Sequence, residues 1–306
     1  MAPTIHPRSR EVSLAQIAEL QLAKRLLWTM IVLIAAGAVL TLTAQPSSFW
    51  SSPTTAIRFD GLPIHSSTNP MFDFFLGHGW PAYLVGVALY GVIIFLVARV
   101  LPETLAMVTE VAVILGLCYT QSNWIVVRWH TGTGGALFYI AGVSIVLTKA
   151  ILPVIKDRKG EVLRWLCWLL ALTTTVDGTF TLIGQPASYW RNPLMVHEAN
   201  PLAKFFLETG WWAYAAYIAA LIAIPSLLSM RVSRSTGWMI VLGATLGGLF
   251  GGSNWLFYEW RLGLQSPLLY GTILSFMIVW ALKSSVATRR VERSTGAFEK
   301  CQLRQC

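Results

Sequence analysis

Asp177-Gly178-Thr179-Phe180-Thr181-Leu182-Ile183-Gly184-Gln185-Pro186, then Tyr189-Trp190, then His197-Glu198-Ala199-Asn200-Pro201, is the stretch from which the architecture can be read. It begins with a carboxylate inside an apolar run and closes on an acidic, His-bearing Asn-Pro turn. The first half of the chain echoes it in Thr41-Leu42-Thr43-Ala44-Gln45-Pro46, Phe49-Trp50 and Asn69-Pro70. The echo lacks both acids: Gly37 stands in the place of Asp177 and Ser67 in the place of Glu198.

Working outward, residues 41–50 match 181–190 at an offset of 140, and residues 69–83 match 200–214 at an offset of 131. The second offset also pairs Gly116 with Gly247, Ser122-Asn123-Trp124 with Ser253-Asn254-Trp255, and Tyr139 with Tyr270. The drop from 140 to 131 places nine extra residues in the stretch Ser51 to Thr68. Self-similarity at a fixed spacing is the mark of an internal repeat, here a tandem duplication.

The chain is 55% hydrophobic and only 12% charged, whereas soluble domains carry about 25% charged residues. Runs of about 20 apolar residues mark membrane helices. Eight such runs are read at 26–44, 82–101, 105–127, 135–154, 162–184, 211–229, 236–257 and 266–283. The expected fold is an all-α integral membrane bundle of eight helices, built from two tandem four-helix repeats in the same orientation. An even number of spans per repeat gives a pseudo-twofold axis along the membrane normal, and not an inverted repeat. The divisions are an N-terminal segment 1–25, repeats at 26–155 and 165–285, a basic linker 156–164 and a tail 286–306. Leu14, Ile17, Leu20 and Ala23 recur about one turn apart, which predicts a surface helix over 11–25.

The net charge of +9 does not point to nucleic acid, because the basic residues are sorted by side. With the N-terminus inside, 18 of the 23 Lys and Arg fall on that side; only Arg58, Arg128, Arg191, Lys204 and Arg261 fall on the other. That asymmetry predicts both termini in the cytoplasm of a bacterial inner membrane, with the lipid bilayer as the main partner. Cys118 and Cys167 lie at different depths and Cys301 and Cys306 in the tail, so no disulfide is expected. The first apolar run could pass for a signal sequence, but its motif recurs in mid-chain and it reads as a retained span.

All the shared polar motifs fall on the non-cytoplasmic side. Asn-Pro at 69–70 and 200–201 reads as a helix start, with Asn as cap and Pro in the first turn. Asn123 and Asn254 near span ends predict interhelical hydrogen bonds, with Gln45 and Gln185 as partners. The tryptophans crowding this side are expected at the interface. Asp177 lies about 10 Å inside its span, at a depth where an acid costs about 2.5–3.5 kcal/mol and needs a partner or a water-filled cavity. Arg261 is its expected structural partner, and Lys149 that of Glu110. His197-Glu198 is a weak metal signal without H-E-x-x-H spacing, so no metal site is assigned. No nucleotide, flavin or haem motif assigns a cofactor.

The order of Asp177, Thr181, Glu198, Asn200 and Pro201 resembles small multi-pass bacterial membrane families in which an intramembrane Asp is followed by Glu-x-Asn-Pro. The resemblance covers about 40 residues of the second repeat and implies a helical bundle with no assigned chemistry. The leading expectation is a protein that binds or transports a small molecule or lipid through a polar cavity open to the outer face. Its binding residues would be Asp177, Glu198, Gln45, Gln185, Asn123, Asn254 and Arg261. The alternatives are an outer-leaflet enzyme acting on a lipid, with Asp177 or Glu198 as base and His197 accessory, and a scaffold whose acids are structural.

Overall fold

The computed structural model describes residues 14–43, 58–59, 62–63, 70–128, 131–155, 160–198, 200–256 and 268–284. It is all-helical apart from a two-residue antiparallel pairing of Arg58–Phe59 with Leu62–Pro63. In chain order the helices are α1 (Leu14–Thr43), α2 (Pro70–Gly77), α3 (Trp80–Val100), α4 (Glu103–Arg128), α5 (Gly132–Ile155), α6 (Glu161–Ile183), α7 (Pro201–Thr209), α8 (Trp211–Arg231), α9 (Arg234–Asn254) and α10 (Leu268–Ser284). Six of them, α1, α3, α4, α5, α6 and α8, are long and apolar enough to cross a membrane. The regions read as the seventh and eighth spans are helical in α9 and α10, which fall outside that group, α10 being a shorter apolar helix.

One sequence expectation is corrected. Residues from Leu14 onward do not form a separate surface helix but the first turns of a continuous 30-residue helix. Leu22 and Leu26 are buried in the bundle core, so apolar contact carries the helix straight through Lys24-Arg25. Arg25 donates to the Ala150 carbonyl at 3.1 Å, and Lys283 reaches Thr104 at 2.8 Å and Glu19 at 3.8 Å. These contacts tie α1, α4, α5 and α10 together at one end of the bundle, and the shared motifs lie toward the other.

The two short helices start and stop where local chemistry dictates. Asn200 accepts from the Leu202 and Ala203 amides at 3.0 and 3.5 Å, and Pro201 gives up no bond in the first turn. Gly210, at φ 133°, ends α7 and opens α8 in one residue, a conformation other side chains rarely adopt. Gly79, at φ 93°, opens α3 after His78 closes α2.

Several helix pairings recur in both halves. In the first, α1 packs on α3 and α4, α3 on α4, and α2 on α3; in the second, α6 packs on α8 and α9, α8 on α9, and α7 on α8. Contacts of α9 with α5 and α4 join the halves. The central core includes Met30, Met107, Ile114, Leu170, Trp238 and Val241. Helices α3 and α8 are the least buried and carry outward-facing apolar side chains such as Leu89, Ile93, Ile224 and Leu227.

Candidate functional site

Among the described helices the α6–α9 pair makes the most extensive contact, and glycines permit it. A Cβ on Gly248 would stand 3.0 Å from the Thr174 amide nitrogen, and one on Gly251 would overlap the Asp177 carboxylate. Small residues at helix interfaces let backbones approach in this way. The Asp177 side chain thus rests in a notch on α9, pointing into the bundle. Among the described residues nothing hydrogen-bonds to its carboxylate and no basic group is paired with it.

Above Asp177 the loop 184–200 folds back as a cap. Gln185, itself buried, holds it: its Nε2 donates to the Thr181 and His197 carbonyls at 3.0 Å each, and its Oε1 accepts from the His197 amide at 2.8 Å. Tyr189 is buried beneath the loop and donates to the Leu207 carbonyl at 3.2 Å. Loss of water around it raises its phenol above the ordinary value. Tyr189, Ala203, Leu207 and Tyr214 form a small apolar cluster that seats α7 on α8.

The cap delivers Glu198 to Asp177. The two carboxylates act on each other electrostatically, and both act on Tyr214 and Tyr217; Asp177 also acts on Tyr270. Glu198 Oε1 accepts from the Asn200 amide at 2.8 Å, and the Tyr217 and Tyr214 hydroxyls lie near the side chains of Asn200 and Thr181. Phe206 stacks on Tyr217 with ring centroids 4.8 Å apart. The Tyr270 hydroxyl is buried without a hydrogen-bond partner among the described residues. The result is two acids from different elements brought near one another, with Tyr214, Tyr217 and Tyr270 in their vicinity.

Other nominated residues fall elsewhere. His197 is exposed, and the cap uses its backbone. The amide pairing expected between Asn254 and Gln185 does not form, because Gln185 spends its amide on the cap; the Asn254 Oδ1 is buried without a partner among the described residues. Asn123 donates to the Tyr119 carbonyl of its own helix at 3.2 Å. The Glu110–Lys149 pair is also absent. Glu110 faces the core with Oε2 unpartnered, while Lys149 is on the exposed side of α5. Gln45 and Arg261, and with them the Asp177–Arg261 pair, lie outside the described residues.

At the corresponding positions of the first half the parts are exchanged. Tyr83 lies near Thr41 as Tyr214 lies near Thr181. Gly37, however, forms the notch, and Gln121 of α4 fills it, donating to the Leu33 carbonyl at 2.8 Å and accepting from the Tyr139 hydroxyl. Beside this pair lies a cavity of about 550 Å³, walled by α1, α3, α4 and α10 with a contribution from α9, and mostly apolar. Neither Asp177 nor Glu198 lines it. The sequence assigns no binding role to Thr181, Tyr214, Tyr217 or Tyr270. Three of these recur at the two offsets as Thr41, Tyr83 and Tyr139, and that recurrence was the available signal.

Comparison with known protein families, curated proteins and solved structures finds no match to this chain.

Proposed function

We propose that the chain is an eight-span protein of a bacterial inner membrane, built from two tandem four-helix units with both termini cytoplasmic. On this reading it binds or transports a small, positively charged molecule at a site opening to the outer face. The recurring helix pairings of the halves support the duplication, and the sorting of Lys and Arg supports the orientation. The observation that carries the function is the meeting of Asp177 and Glu198. Two acids brought together at membrane depth hold negative charge where it is costly, unless a cation or proton completes the site. Tyrosine hydroxyls and ring faces near them suit a small monovalent cation or amine. Binding is favoured over general-base catalysis because His197, the accessory group for such a reaction, is exposed and held by its backbone.

The test is equilibrium binding of radiolabelled sodium or methylammonium to the detergent-purified protein. Saturable binding of either probe is expected for the wild type, and its loss in Asp177→Asn with unchanged helicity and elution. Absence of saturable binding of both probes, or equal binding by the variant, overturns the reading.

A further inference from the structure

The first-half cavity has no part in the acid site, and its lining can be compared with the second half residue by residue. At the offset of 131, Gly248, Gly251 and Gly252 of α9 correspond to Leu117, Thr120 and Gln121 of α4. Gly248 and Gly251 let α6 close onto α9, whereas the larger Leu117, Thr120 and Gln121 of α4 all line the cavity beside α1. Its walls include Ile34, Ala38, Val87, Val108 and Val113. Along α4 the lining runs from Val108 to Trp124, about 24 Å of helix rise. The slot is therefore long, apolar and aligned with α4. Most of its polar groups lie toward one end, where Thr41, Tyr83, Gln121 and Trp124 sit among the shared motifs, while Thr109 stands near the other.

The slot is half open, and its space far exceeds the few water-sized gaps that packed helix interfaces leave. Water gains little there, because a buried water needs several polar partners and most of this wall offers none. One wall is α3, among the helices least buried by protein, so the space borders the bilayer. Hydrocarbon chains are the most abundant apolar molecules at that boundary. We propose that the cavity holds one acyl chain of a bilayer phospholipid, with the headgroup at the Thr41–Tyr83–Trp124 end. This site stands apart from the proposed cation site, and neither depends on the other.

Glycines provide the test. Gly116 and Gly271 both line the cavity, and a Cβ at either meets nothing within 4 Å, so Gly116→Phe and Gly271→Phe fill the slot from two walls. Gly142 is equally open but exposed and outside the lining, so Gly142→Phe is the control. Each full-length protein is delipidated in detergent, incubated with palmitoyl-oleoyl phosphatidylglycerol and examined by native mass spectrometry. The wild type and Gly142→Phe are expected to retain one phospholipid through detergent exchange, and both cavity variants to lose it. Methylammonium and sodium binding, measured in parallel, is expected to be unchanged in all of them. A wild type that retains no lipid, or cavity variants that retain it like the control, overturns the proposal.

Discussion

Substituting Gly251 by alanine tests the notch that receives Asp177. Alanine favours a helix over glycine by about 0.8–1.0 kcal/mol, so propensity alone predicts a more stable protein. Against that, the new methyl group would overlap the Asp177 carboxylate, and overpacking of this kind costs about 1–3 kcal/mol. The net expectation for Gly251→Ala is a loss of up to about 2 kcal/mol. In an Asp177→Ala background the obstructing carboxylate is gone. There the same substitution should be neutral or stabilising by up to about 1 kcal/mol. The difference between backgrounds, about 1–3 kcal/mol, is the coupling read by a double-mutant cycle. SDS-driven unfolding in bicelles, followed by circular dichroism, measures it. Equal effects of Gly251→Ala in both backgrounds would refute the claim that Asp177 occupies this notch.

Four further outcomes follow from named contacts. Gln185→Ala removes the clamp on His197 and should destabilise the protein by about 1–3 kcal/mol, with faster amide exchange over 197–200 in hydrogen-exchange mass spectrometry. For Tyr189, burial raises the phenol, so its contribution is complete below the unfolded value near pH ~10 and fades as pH climbs toward the higher folded value. Alkaline loosening of the cap should therefore appear in the wild type and be absent in Tyr189→Phe, whose lost hydrogen bond costs about 0.5–1.5 kcal/mol at neutral pH. Lys283→Ala breaks a partly exposed ion pair and should change unfolding free energy by less than about 1 kcal/mol. Leu194→Cys, placed on the exposed cap in a chain whose own cysteines are serine, should react in intact spheroplasts with a membrane-impermeant maleimide; protection until lysis contradicts the orientation.

Much of this fold is visible in residue order because a bilayer accepts few solutions. Long apolar runs must be helices, as lipid satisfies no backbone group. Asn200-Pro201 before an amphipathic stretch and Gly210 after it mark α7 for the same local reasons that the structure displays. Partnerships between elements were less legible. Glu110 and Lys149 sit at similar depth, but helical phase turns Glu110 to the core and Lys149 outward. Depth without phase does not make a pair. Gln185 was expected to bind another helix; the turn after Ile183 instead swings the chain back over its amide. The acid site was half visible, since Asp177 and Glu198 stand out as acids the first half lacks. Its tyrosines and its glycine notch did not, because tyrosine and glycine are ordinary residues of a membrane helix until a neighbour is known. The cavity was not legible either, because the residues that line it come from several helices and are brought together only in the fold.

The most direct measurement is a double-mutant cycle on cation binding. Wild type, Asp177→Asn, Glu198→Gln and the double variant are compared for affinity toward sodium and methylammonium under one buffer condition. If the two carboxylates hold one cation between them, each single variant loses binding and the double variant is no weaker than the worse single. If either single variant binds like the wild type, or the two losses simply multiply, Asp177 and Glu198 do not form one site.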